Sequence, residues 1–141
     1  MERLMLIGKT GVGKTSLIQA INKESLKYKK TQAMEFYEGI VDTPGEYIEN
    51  KRFYNAIVSM SYDVTIIGLV QDAESGHSYF PPGFAKMFNR KVIGIITKID
   101  SQKADVSKAK DLLNSAGAEV IYRVSALDNI GVDDIKKLLA R

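Results

Sequence analysis

The chain has 141 residues, with 20 basic and 17 acidic side chains, a net charge of +3 and no cysteine. This length fits one domain with a real core, and the missing thiols exclude a disulfide scaffold, a thiolate metal site and a cysteine nucleophile. The basic residues gather at Lys27, Lys29 and Lys30 and then scatter, without a repeated aromatic-basic pattern, so they read as a solvated face and no nucleic-acid partner is expected.

In chain order, Arg3 to Ile7 reads as a buried strand. Its early start leaves no room for a signal peptide, and no apolar run approaches membrane-spanning length, so no membrane partner is expected. Next comes Gly8-Lys9-Thr10-Gly11-Val12-Gly13-Lys14-Thr15, which fits G-x-x-x-x-G-K-[ST], the phosphate-binding P-loop. A helix follows over Lys14 to Asn22, so the motif lies between strand and helix. Gly8, Gly11 and Gly13 let the backbone wrap an anion, with the N–H groups of Val12 to Ser16 pointing inward and the helix N-terminus adding positive potential. Lys14 is expected on the β- and γ-phosphates and the Thr15 hydroxyl on Mg²⁺. A polar linker, Lys23 to Gln32, is a candidate switch segment beside this loop.

Ala33 to Tyr37 and Gly39 to Asp42 read as two short strands joined by a tight turn at Glu38-Gly39. Residues 42 to 52 read as a loop. Within it, Asp42 at a strand end can hold Mg²⁺ through water, and the Gly45 N–H can approach a γ-phosphate. Alone, Asp42-Thr43-Pro44-Gly45 is an ordinary turn; the upstream P-loop gives it its functional reading. Phe53, Ala56, Ile57 and Met60 mark one face of an amphipathic helix.

Val64 to Val70 reads as a central strand, Gln71 to Phe80 as a loop, and Phe84 to Phe88 as a short helix. His77 and Tyr28 read as surface and linker residues. Asp72 either faces the site or caps the segment after it. Phe80, Phe84 and Phe88 read as packing onto the sheet. Val92 to Ile96 is a further strand, and Thr97-Lys98-Ile99-Asp100 follows it. Asp100 can accept from N1–H and the 2-amino group of guanine, a donor pair that adenine lacks, while the Lys98 stem can cover the base. A helix is predicted over Val106 to Ala116, capped by Asp105 and stopped by Gly117. Glu119 to Val124 is the last strand. Ser125-Ala126 after it can meet the guanine O6 through its backbone. Val132 to Ala140 is the last helix, with Asp133 and Asp134 in its first turn.

Six strands alternating with helices predict an α/β fold with a mostly parallel sheet and one antiparallel edge strand. Ligands of such sheets bind at the carboxyl ends of the strands, where every motif above falls.

Together these motifs resemble the P-loop GTPases, which implies the three-layer Ras-like P-loop NTPase fold over a single domain, residues 1 to 141. The finer resemblance is to the ethanolamine- and propanediol-utilisation P-loop proteins (the EutP/PduV type). It rests on Lys30-Thr31-Gln32-Ala33, Asp42-Thr43-Pro44-Gly45-Glu46-Tyr47, Val70-Gln71-Asp72-Ala73 and Phe80-Pro81-Pro82-Gly83-Phe84-Ala85. It implies a cytoplasmic bacterial protein linked to metabolic microcompartments, with a shell or enzyme partner there. The implied ligands are GTP or GDP, with ATP as the alternative, and Mg²⁺. The implied activity is slow GTP hydrolysis or phosphoryl transfer to a carboxylate such as acetate; a non-catalytic, nucleotide-gated docking module is the third reading. Thr31 is the candidate switch threonine for γ-phosphate and Mg²⁺, with Thr43 as a competitor. Three positions depart from Ras-like patterns. Thr10 stands where those proteins keep the glycine that admits an arginine finger. Glu46 replaces the water-orienting glutamine, and can act as a base or repel the γ-phosphate. Gly11 stands where potassium-activated relatives carry asparagine.

Overall fold

A computed structural model describes residues 2–22, 36–37 and 39–140. Six strands, β1 (Leu4–Ile7), β2 (Phe36–Tyr37), β3 (Ile40–Asp42), β4 (Ile66–Asp72), β5 (Lys91–Thr97) and β6 (Val120–Arg123), form one sheet in the order β2-β3-β1-β4-β5-β6. All neighbours are parallel except β2 against β3, so the expected antiparallel edge strand is present.

Five α-helices accompany the sheet among the described residues: α1 (Lys14–Ile21), α2 (Glu46–Glu49), α3 (Tyr54–Ser61), α4 (Val106–Ala116) and α5 (Val132–Leu139). Side-chain alternation along the strands sorts the core into two layers. Leu4 and Leu6 of β1, with Ile66 and Val70 of β4, meet Leu17 and Ile18 of α1 and Ile135 and Leu138 of α5. Met5, Ile7, Ile67 and Leu69 point the other way, towards Ile57 of α3, Leu113 of α4 and the ring of Phe84. Phe84 packs at 5.4 Å from both Phe80 and Phe88, so the three rings join the core as expected.

The Asp105 carboxylate accepts from the Lys108 N–H at 3.0 Å and caps α4, which ends at Gly117. Elsewhere the boundaries move. The loop expected over residues 42 to 52 contains α2 and a 3₁₀ turn at Lys51–Phe53. It is held by Ile48, buried in the core, and by the Tyr47 ring stacked on Phe53 at 4.8 Å. β4 begins and ends two residues later than expected. Gln71 and Asp72 pair with Ile96 and Thr97 of β5, so the ladder runs on through polar residues. Their side chains find partners: Gln71 Nε2 donates to the His77 carbonyl at 2.9 Å, and Asp72 accepts from the Tyr79 hydroxyl at 2.8 Å. The short helix after the prolines is 3₁₀, Phe84–Met87. In the described residues, the segments that follow β1, β3, β5 and β6 all lie at the carboxyl ends of parallel strands.

Candidate functional site

The chain leaves β1 at Ile7, turns through residues 8 to 13 and enters α1. The turn into the helix closes at Gly13, whose φ of 102° is left-handed and open to glycine at little strain. Lys14 is only 7% exposed, and its ammonium folds back to donate to the Gly8 carbonyl at 2.6 Å. Burial lowers the Lys14 pKa, while the charges of Asp42 and then Glu49 oppose that shift. The converse holds for Asp42: burial raises its pKa, against the Lys14 charge and the Thr15 hydroxyl. The two groups stabilise each other's charge in a partly dry setting.

Thr15 Oγ1 donates to Asp42 Oδ2 at 3.5 Å, a long bond. The other carboxylate oxygen, Oδ1, is buried without a partner among the described residues. An orphaned buried oxygen beside a loosely held hydroxyl fits a hard divalent cation bound directly by Thr15 and through water by Asp42. Among the described residues no group of three or more His, Cys, Asp or Glu side chains could hold a metal. A cation here would therefore draw its remaining ligands from water and phosphate, as Mg²⁺ does. Thr43 is not available for the switch role, because its buried hydroxyl is committed to the Leu6 carbonyl at 2.8 Å. Thr31, like Tyr28, lies outside the described residues.

β5 delivers the base-side motif. Thr97 Oγ1 donates to the Val12 carbonyl at 2.5 Å, and Lys98 Nζ to the Gly11 carbonyl at 2.8 Å, so both reach across to the phosphate loop. Lys98 takes φ of 60°, rare for a side chain of this size. Its ammonium also lies 3.7 Å from Glu74, which accepts from the Ser101 hydroxyl at 2.8 Å. After β6, Ser125 is buried and accepts from the Asp128 N–H at 3.0 Å, and its backbone pairs with Ile130 to close a short loop. A cavity of about 550 Å³ joins these parts. Gly13, Ser16, Thr97, Lys98, Asp100 and Ala126 line it, together with Gln19, Ala20, Leu127 and Asn129. It runs from the phosphate loop to Asp100, whose carboxylate is exposed.

On the other flank, Gly45 abuts the loop. A Cβ there would collide with the backbone nitrogen and hydroxyl of Thr10, so this close approach requires glycine. Glu46 is exposed at the start of α2. Besides Asp42, the acid whose charge reaches Lys14 is Glu49, one turn further on in α2.

This geometry agrees with the comparisons to known proteins. The family model for ethanolamine utilisation and propanediol utilisation proteins, PduV-EutP, matches residues 1–141. The chain belongs to this family. It is 43% identical over 136 residues to the propanediol utilization protein PduV of Citrobacter freundii, covering 96% of this chain and 91% of that one. It is 33% identical over 143 residues to a protein of Escherichia coli K12 named probable acetate kinase EutP, covering 99% and 90%. Among solved structures it resembles the FeoB G-domain of Methanococcus jannaschii, with a TM-score of 0.64 at 20% identity, covering 99% and 95%. The fold is therefore that of the P-loop GTPases, in a family tied to propanediol and ethanolamine utilisation. No helix of the described residues is long and apolar enough to cross a membrane.

Sequence reasoning missed four PduV-EutP residues beside the site. Glu74 and Glu49 carry no local motif; only the folded chain brings them to Lys98 and towards Lys14. Leu127, 85% exposed and lining the base-side cavity, could have been noted as an apolar residue directly after Ser125-Ala126. Lys9 stood inside the P-loop motif, at a position where the motif specifies nothing.

Proposed function

We propose that this chain binds GTP and GDP with Mg²⁺ and hydrolyses GTP slowly, as a cytoplasmic component of propanediol or ethanolamine utilisation. One observation carries the reading. The cavity that begins at Gly13 and Ser16 of the phosphate loop ends at Thr97, Lys98, Asp100 and Ala126, the groups that suit a guanine edge rather than an adenine edge. Gly8, Gly11, Val12, Gly13, Lys14, Thr15, Ser16 and the Gly45 N–H take the phosphates. Ser125 orients the Ala126 backbone towards the base. Thr15, Asp42 and Thr31 would hold the metal, which would supply neutralisation of phosphate charge. Slow turnover follows from Glu46 in place of a water-orienting glutamine. It follows also from Thr10 packed on Gly45, which narrows the approach for an arginine from a partner; such an arginine is worth about 10³ to 10⁵ in rate.

A second reading has support from the relatives named probable acetate kinase. In it the γ-phosphoryl passes to a carboxylate such as acetate: the acceptor oxygen bonds to phosphorus, the β–γ bridging bond breaks, and the nucleoside diphosphate leaves with the electron pair. Docking on a microcompartment shell or enzyme is a further expectation from the family, with the nucleotide as gate. Titration of the purified chain with GTP, GDP and ATP plus Mg²⁺, followed by product analysis with and without acetate, separates these readings. Free phosphate formed slowly from GTP supports the first. Acetyl phosphate supports the second, and binding without turnover supports docking alone.

A further inference from the structure

A second cavity, of about 430 Å³, opens beside the phosphate loop and is lined by Lys9, Ile48, Glu49 and Tyr79. Among the described residues it shares no lining residue with the base-side cavity, and its volume lies in the range of small-molecule sites. Two of its walls are fixed. Ile48 is buried in the core, and the Tyr79 hydroxyl is anchored on the buried Asp72 at 2.8 Å. The Lys9 ammonium lies 5.4 Å from the Tyr79 ring centroid, within cation–π range. Glu49 comes from α2 and Lys9 from the phosphate loop, and both line the cavity. Among the described residues no ion pair joins Lys9 to Glu49.

A cation and a carboxylate that face one cavity without closing on each other present a dipole. The matching ligand carries the opposite dipole. We propose that this cavity is a second small-molecule site, for a zwitterion of amino-acid size. Its carboxylate meets Lys9, its ammonium meets Glu49, and its short carbon skeleton lies between Ile48 and the Tyr79 ring. A purely anionic ligand would be repelled by Glu49. A purely cationic one would be repelled by Lys9, which already covers the aromatic face. Because Lys9 belongs to the phosphate loop and Glu49 to the helix that begins after Gly45, an occupant ties α2 to the loop. The site stands apart from the nucleotide reading and does not depend on it.

The test is an NMR titration of the whole chain with β-alanine, with propionate and propylamine as single-charge controls. β-Alanine is expected to give saturable shifts at Ile48 and Tyr79, and each control to bind about tenfold more weakly, the low end for a charge-assisted contact at a partly exposed group. Lys9→Gln and Glu49→Gln should each weaken β-alanine by a similar factor. The proposal is overturned if β-alanine gives no saturable shift, if its shifts fall away from this cavity, or if propionate binds as well as β-alanine and Glu49→Gln changes nothing. GDP added to the same sample reads the other cavity through Asp100 and Leu127. GDP binding without β-alanine binding overturns the zwitterion site alone, and the reverse overturns the nucleotide reading alone.

Discussion

At the base end of the phosphate loop, Thr97 and Lys98 bond to the carbonyls of Val12 and Gly11, and Glu74 holds the Lys98 ammonium from behind. At the other end, among the described residues, the polar anchoring of the chain after β3 stops at Thr43, bonded to Leu6 through both its backbone and its hydroxyl. From Pro44 onward the backbone bonds are local, Tyr47 to Pro44 and Ile48 to Gly45, and the contact with the loop is Gly45 against Thr10. One end is cross-linked by hydrogen bonds; the other is joined by packing around a single glycine. A segment with few long-range bonds opens at lower free energy than the rest of a fold. Under the proposed function, the end expected to meet the γ-phosphate is thus where bound nucleotide would shift a conformational balance, while the base end would stay preformed.

The largest expected effect strikes the phosphate loop itself, between the two ends. Lys14→Ala should lower nucleotide affinity by more than about 100-fold, since it deletes a charge aimed at two phosphates. Circular dichroism should be unchanged. Normal affinity in this variant would sink the phosphate-loop reading.

Asp100→Asn comes next and strikes only the base end. Two charge-assisted bonds are weakened, each worth about 1.5–3 kcal/mol. Guanine nucleotides should therefore lose at least about tenfold while adenine nucleotides change little. Xanthine nucleotides should gain, because their C2 oxygen can accept from the new amide. Equal losses for GTP and ATP would show that Asp100 does not read the base.

Gly45→Ala breaks the opposite end. The added methyl meets Thr10, so α2 must move away from the loop. GDP affinity should hold within about threefold, and the contribution of the γ-phosphate to GTP binding should fall, by roughly the 0.5–1.5 kcal/mol of one hydrogen bond. An unchanged GTP-to-GDP affinity ratio would mean that the two ends do not differ in the way argued above.

These contrasts were partly legible beforehand. The phosphate loop, Asp42, Thr97 and Asp100 could be read from the sequence because each lies within a few residues of a strand end, and local spacing carries the signal. The mostly parallel sheet followed from the alternation of strands and helices, and its antiparallel edge from the one hairpin; the strand order did not. The end of β4 was not legible: Gln71 and Asp72 look like loop residues until the His77 carbonyl and the Tyr79 hydroxyl appear beside them. Nor was α2, because four residues after Pro44-Gly45 have too short a period to read, and it is Ile48 in the core that holds them. Glu49 and Glu74 were invisible for a different reason. Their neighbours are 35 and 24 residues away in the chain, and only the tertiary fold sets those distances.

The smallest expected effect concerns Asp42→Asn, and its sign separates stability from function. Burial is the leading influence on Asp42 and raises its pKa in the folded chain. A carboxyl whose folded pKa lies above its unfolded one contributes stability that is fully present below the unfolded value, about 4, and is lost as pH rises through the folded value. At pH 7 the nucleotide-free protein has lost that contribution and holds a partly buried anion, softened by Lys14 and Thr15. Asparagine removes the anion while keeping the shape. Lys14 then loses one opposing charge, an effect that ranks below its own burial. The nucleotide-free variant should melt at the wild-type temperature or up to about 4 °C higher at pH 7. That advantage should vanish as the pH falls towards 4. With Mg²⁺ and GDP the order should reverse, because wild-type gains a metal-dependent increment that the variant cannot match. Thermal melts across pH 4 to 7, with and without Mg²⁺ and GDP, measure all three. A variant several degrees less stable at pH 7 without ligand would mean that Asp42 is held there for the fold, and the buried, unpaired Oδ1 would no longer point to a cation.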